Sequence, residues 1–284
     1  MIARVFTALA LACALWAGAI PILAQTAAEH AWSILETGAA DKNPDNRALA
    51  VRTLGIITRD PKAVGIAEKA LNDVKPEVRK SGATALGVMN CTSCIGRLKV
   101  VLSDKDASVV LAAAHALWTL KDTLNADEVY YAVLTGKRKS GSGLISEGMD
   151  TLRDRKKMAQ FGVEEGIGFI PFAGFGYSAV QVLRKDDVSP VRAAAAAILA
   201  TDPDPKSGEA LVKAASDKSW IVRAAALDAL AKRGDSKVLE NIIPLMEDKK
   251  TLVRYTAAAA VIQLSSVQKS AGRPKRIAPK RKKR

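Results

Sequence analysis

An aspartate followed six residues later by an arginine recurs along this 284-residue chain at a nearly fixed interval, and that interval constrains the fold more than any other feature. The aspartates are Asp41, Asp73, Asp104, Asp186, Asp217 and Asp248, separated by 32, 31, 82, 31 and 31 residues. A period near 31 marks a supersecondary unit that cannot bury its apolar face alone and so stacks on copies of itself. The columns of the repeat have consistent chemistry. The arginine column holds Arg47, Arg79, Val110, Arg192, Arg223 and Arg254, so the third copy breaks the pattern. The preceding position is Val78, Val109, Val191, Val222 or Val253, with Asn46 in the first copy. Three residues after the arginine come Ala50, Gly82, Ala113, Ala195, Ala226 and Ala257, all small. Seven after it come Leu54, Leu86, Leu117, Leu199, Leu230 and Val261, all aliphatic.

Positions −1, +3 and +7 share one face of a helix, so each copy predicts a helix with a buried stripe. Its small middle residue lets a neighbouring helix approach closely. Pro44, Pro76 and Pro190 suit a first helical turn, where a missing N–H costs nothing. Upstream of the copies lie second amphipathic runs such as Ala63–Leu71, Ile95–Leu102 and Val238–Met246, which makes the unit a helix pair. The inner columns that vary, +1 and +5 after the arginine, include Lys80, Tyr255, His115 and Asp228; they are expected to be exposed and to carry specificity.

The pattern resembles the HEAT repeats of the short, bilin-lyase-like type, over roughly 27–121 and 184–265. The resemblance implies an all-α, right-handed α-solenoid of stacked helix pairs, about six regular repeats plus one irregular inserted pair. It also implies that Asp41, Arg47, Asp73, Arg79, Asp186, Arg192, Asp217, Arg223, Asp248 and Arg254 form a structural ladder between adjacent repeats, interrupted at Val110. An anion-binding arginine row is the alternative. Composition agrees with stacked helices: 49% hydrophobic residues but only 5% aromatic leaves small side chains to set helix spacing.

Residues 1–24 read as a signal peptide rather than as part of the fold. Arg4 supplies a positive n-region, Val5 to Leu23 is uncharged, and Ile22-Leu23-Ala24 offers cleavage before Gln25. An uncleaved membrane anchor is the alternative. The expected location is therefore exported, periplasmic or secreted. With Cys13 in that segment, two cysteines remain, Cys91 and Cys94, in Asn90-Cys91-Thr92-Ser93-Cys94. In an oxidising compartment they suggest a local disulfide. A redox role would use the same spacing, but no thioredoxin-like βαβ context surrounds it. A metal site would need two more ligands.

The first helix, Ala28–Thr37, contains Trp32, which could help cap the N-terminal end of the solenoid. Repeats one to three occupy 25–121, an irregular insert 122–185, and repeats four to six 186–266. Within the insert, Asn125–Leu134 reads as a helix capped by Asn125, followed by the basic turn 137–143. Gly166–Leu183 then runs 18 residues without a charge and carries Phe169, Phe172 and Phe175. Its glycines and Pro171 make it a poor uninterrupted membrane span. It reads either as a buried junction or as an apolar contact with a partner or bilayer.

Residues 267–284 form a basic tail expected to be disordered. Nine basic residues fall between Lys269 and Arg284 with no acid, so the formal +14 leaves +5 for the rest (14 − 9). Lys275, Arg276, Lys280, Arg281, Lys282, Lys283 and Arg284 are candidates for polyanion binding, in an exported protein to an anionic envelope surface. Nucleic acid is not favoured there. No Gly-rich phosphate loop, H-E-x-x-H or supportable Ser–His–Asp set occurs. The two histidines, His30 and His115, lie in different repeats. The deoxyhypusine hydroxylase-like HEAT proteins carry metal-binding His-Glu pairs, which are missing here, and no residue matches the work of a bilin lyase. The expectation is an exported, non-enzymatic protein–protein scaffold without cofactor or metal, binding an unknown protein partner. Attachment to an envelope or membrane, or an accessory or enzymatic role like that of the lyase relatives, are the alternatives.

Overall fold

The computed structural model describes residues 26–135 and 188–271, and among them every regular element is helical. Helix α1 covers 26–39, α2 Pro44–Thr53 (extended by a 3-10 turn, Leu54–Ile56), α3 Pro61–Ala70 and α4 Pro76–Val88. They are followed by α5 Ile95–Val101, α6 Ala107–Thr119 and α7 Thr123–Thr135. The second block has α8 Ser189–Leu199, α9 Pro205–Ala214, α10 Trp220–Arg233, the short α11 Leu239–Ile242, and α12 Thr251–Ala271.

Local chemistry explains the boundaries. Proline opens α2, α3, α4 and α9, where its lost donor has no partner to lose. Asn43, Asp60, Asp106 and Asp204 cap their helices by accepting N–H bonds from the first turn. Exits recur too. After α4 and α6, Asn90 and Lys121 adopt the left-handed region (φ 57° and 68°), and Gly234 does so after α10 (φ 71°). The bonds Cys91 N–H to Leu86 O and Asp122 N–H to Leu117 O then close a Schellman turn. The amphipathic run Val238–Met246 is no single helix: Pro244 lies in it, and it divides into 3-10 turns around α11.

The helices bearing the arginine column stack in series, α2 on α4 on α6 and α8 on α10 on α12. Helices α3, α5 and α9 pack against the inner helix that follows each of them. The stripe is buried in five of the six copies, where Leu54, Leu86, Leu117, Leu230 and Val261 are fully enclosed; in the fourth copy, on α8, Val191 and Ala195 are exposed and Leu199 is half-buried. Small residues set the spacing. A Cβ at Gly87 would stand 2.9 Å from Ala116 Cα on α6, and one at Gly82 2.8 Å from Ala67 O on α3.

The two blocks also meet each other, which a local period does not reveal. Helix α12, the last in the chain, packs on α2 and its 3-10 extension. The stack therefore runs in space as repeats four, five, six, one, two, three. Among the described residues, repeats three and four, consecutive in sequence, stand at its two ends. Three expectations change accordingly. Trp32 does not cap an end of the stack: the first helix pair sits at an interior joint, with Lys62 Nζ 4.6 Å from the Trp32 ring centre. Tyr255 and Asp228, expected on an exposed variable face, are buried, because repeats five and six have neighbours on both sides. Helix α7 begins before Asn125, whose side-chain amide donates to Asp122 Oδ1 at 2.7 Å rather than capping the helix.

Candidate functional site

Four features could carry function: the Asp–Arg rows, the cysteine turn, the two stack ends and the cleft between the start of α1 and the end of α12. The rows have a repeated geometry. Arg47 donates through Nε and Nη2 to the Asp73 carboxylate at 3.0 and 2.9 Å, a bidentate bond to the next repeat. Arg79 does the same to Asp104 at 2.7 and 2.8 Å, and Arg223 to Asp248 at 2.8 and 2.9 Å. Arg192 pairs with Asp217. The third guanidinium nitrogen turns back: Arg47, Arg79, Arg223 and Arg254 each donate from Nη1 to the main-chain oxygen of their own repeat's aspartate. Each aspartate also accepts the N–H two residues on, as Asp73 does from Lys75 and Asp104 from Asp106. One carboxylate thus shapes its own turn and holds the neighbouring repeat.

Electrostatics follows that geometry. The Arg47 bond holds the Asp73 carboxyl below its ordinary value against the opposing effect of burial. For Asp104, Asp217 and Asp248 burial is the largest influence and pushes upward. The arginine and main-chain donors outweigh it, so these carboxyls too lie low. Guanidiniums occupied on both sides are poorly placed to receive an external anion. The row ends at Val110, which is buried, and Lys99 to Asp122 (2.8 Å) ties α5 to the start of α7 instead. Asp186 lies outside the described residues.

Cys91 and Cys94 are bonded through sulfur in the turn between α4 and α5. Cys94 is fully buried and Cys91 nearly so, which leaves little sulfur surface for an exchanging thiol. Among the described residues, no group of three His, Cys, Asp or Glu side chains gathers as a metal site. His115 is exposed on α6. His30 Nε2 stands 3.3 Å from Glu247 Oε1 across the joint between α1 and the last repeat. Lys80 is half-buried on α4.

Six of the nine large apolar side chains exposed among the described residues lie toward the stack ends; Val74, Val88 and Val100, on or beside α4 and α5, are the others. Trp118, Leu124 and Tyr131 are exposed on α6 and α7, with Trp118 edge-on to Tyr130; Val188, Val191 and Ile198 are exposed on or just before α8. Trp118 is marked in the sequence by standing where four other copies have Gly55, Gly87, Ala200 and Ala231, whereas Leu124 and Tyr131 lie in the insert, where no column marks them. A cavity of about 730 Å³ opens between the start of α1, the turns around α11 and the end of α12, lined among others by Thr26, His30, Lys237, Leu239 and Gln268. No described helix is long and apolar enough to cross a membrane. Phe169, Phe172, Phe175, the leader and the residues of the basic tail from Lys275 to Arg284 lie outside the described residues.

A family comparison agrees on the architecture of the second block. A family model described as HEAT repeats matches residues 178–263. No curated protein matches. Among solved structures, the chain is similar to the complex of CpcE and CpcF of phycocyanin lyase from Nostoc sp. PCC7120. That likeness has 20% identity over 83% of this chain and 92% of that one, with a TM-score of 0.32. It is also similar to human deoxyhypusine hydroxylase in complex with glycerol, at 17% identity, 87% and 99% coverage and a TM-score of 0.32. At that score neither likeness bears on activity or ligand.

Proposed function

We propose that this HEAT-repeat stack is an exported, non-enzymatic scaffold that binds a protein partner. The observation that carries the reading is the grouping of exposed large apolar side chains on α6–α7 and on α8, the two ends of a stack otherwise stapled by bidentate pairs. Clustered exposed apolar surface is what partners cover, and a rigid support loses little entropy on binding. A photo-crosslinking residue at Trp118 or Ile198 is expected to give a discrete protein adduct in cells, whereas the same residue at Lys213 on an outer helix gives none. Equal labelling at all three positions, or none at the ends, removes the reading. Export predicts a mature chain beginning at Gln25, checked by intact mass of protein from the envelope fraction.

One observation favours attachment to an anionic envelope surface as a second reading. Thr26 and Gln268, near the two ends of the described residues, line the same cavity, so an uncharged stretch and a basic tail in the sequence follow on from neighbouring described residues. Washing membranes in low salt, high salt and then detergent separates the readings. Release in low salt supports the free scaffold, release only in high salt the tail, and retention until detergent an apolar anchor.

A further inference from the structure

The joint between α12 and α2 is built unlike every other joint in the stack. Inside each block, neighbouring repeats share a guanidinium–carboxylate pair. At this joint the two leftover members of the row, Arg254 and Asp41, are each satisfied at home. Arg254 donates to Asp248 O at 2.7 Å and to Thr251 Oγ1 at 3.0 Å. Asp41 accepts from Asn43 N–H at 2.8 Å and from the Asn46 side-chain amide at 3.0 Å. Asn46, the departure from the valine column, therefore does locally what an incoming arginine does in other repeats. The Asp–Arg row of each block is therefore satisfied without the other.

What joins them is shape and a rim of polar contacts that lacks the buried guanidinium fork, with the exposed His30 and Glu247 side chains 3.3 Å apart at its edge. Tyr255 lies against Gly38 so closely that a Cβ there would stand 2.7 Å from the Tyr255 ring carbon Cζ. Only a hydrogen at that position admits the ring. Gln263 accepts from Thr58 N–H at 2.9 Å and stands 3.0 Å, through Nε2, from Thr58 Oγ1. A surface that buries an aromatic ring, rims it with polar bonds and leaves neither row member reaching for a partner across it has the character of an interface between two finished bodies.

We infer that the face formed by the end of α1, α2 and its 3-10 turn is a recognition surface for the C-terminal block, whose α12 is its occupant. The two blocks are partners that hold each other without needing the chain between them. The inference is independent of the scaffold reading, since it concerns what this surface binds within the molecule.

The test uses the full chain with a specific protease site placed in the basic stretch 137–143, cleaved after folding. Size-exclusion chromatography and mass analysis are expected to find both fragments in one peak at micromolar concentration. Separation of the fragments from the cleaved wild type overturns the inference. A second variant, Tyr255→Ala with Gln263→Ala, is expected to stay folded and monomeric when intact. After cleavage its fragments part at a concentration roughly 100-fold higher than for the wild type, as loss of a buried aromatic anchor implies. Cleaved double variant as tightly held as the wild type also refutes it, because something other than this face would then be holding the halves. Mixing two differently tagged cleaved proteins should yield chains with exchanged C-terminal blocks; persistent lack of exchange despite measured dissociation counts against recognition by this face.

Discussion

Arg79→Ala removes the most enclosed rung of the stack, with both side chains about a tenth exposed (9% for Arg79, 11% for Asp104). The guanidinium makes two charge-assisted bonds to Asp104, at 2.7 and 2.8 Å, and another at 2.9 Å to Asp73 O. Truncation leaves the Asp104 carboxylate with only its own turn's N–H as a donor, from Asp106 at 2.9 Å. Breaking a fully buried pair from one side costs about 3–5 kcal/mol, and the water-facing edge here places the expectation near 3 kcal/mol. Arg192→Ala is the internal comparison: that side chain is 43% exposed, so its pair with Asp217 is worth at most about 1 kcal/mol. Urea unfolding followed by circular dichroism reads both through the midpoint at constant slope. Arg79→Lys keeps the charge but not the fork and should fall between. A loss for Arg192→Ala equal to that for Arg79→Ala, or a loss below about 1 kcal/mol for Arg79→Ala, would refute the argument that burial and bidentate geometry set the strength of a rung.

Acid should act through the same carboxylates. Asp73, Asp104, Asp217 and Asp248 have folded values below the ordinary 3.8, so the unfolded chain takes up protons first as pH falls. Their contribution is complete above about pH 5 and is lost below about pH 4; a pH titration of the urea midpoint should show this fall, and it should be shallower in Asp104→Asn. Gly87→Ala should cost about 1–2 kcal/mol because Ala116 backbone cannot yield, whereas Gly65→Ala, which meets nothing within 4 Å, should gain about 0.5–1 kcal/mol. Thermal melts of the two variants check the opposite signs. Replacing both Cys91 and Cys94 by serine should lower stability by about 2 kcal/mol, the entropy of so short a loop, and leave helix content unchanged; loss of the α4–α6 core would show that the turn does more than that.

The helix pairs were legible because side-chain periodicity is a local property: columns at −1, +3 and +7 specify a stripe without reference to distant residues. The rungs were legible only as columns; which arginine reaches which aspartate depends on the relative rise of two stacked helices. The joint between α12 and α2 was not legible, yet departures from the columns mark it. Tyr255 stands where the other copies have Ala48, Lys80, Leu111, Ala193 and Ala224, and Asn46 stands in a valine column. A large or polar residue that breaks an otherwise regular column reports a contact the period does not contain. Asp228 was misread for the same reason: column variability does not measure exposure, and this carboxylate is enclosed beside Lys232 at 2.7 Å. The divided run before α12 had its own signal in Pro244.

A stack ordered four, five, six, one, two, three has a consequence in time. Thr58 and Gln263 are 205 residues apart, and His30 and Glu247 217 apart, so the joint is the most distant contact in a fold otherwise made of neighbours. Closing a loop of that length costs about 5 kcal/mol of chain entropy before the contact returns anything. The blocks should therefore form quickly from local contacts, and their docking should be a separate, later and slower event. A chain made from its N-terminus at about 5–20 residues per second leaves the α2 face uncovered for roughly 10–40 s until α12 exists. During that interval Gly38 and its surround are an open apolar notch, and whatever else can place a ring there competes with the molecule's own last helix.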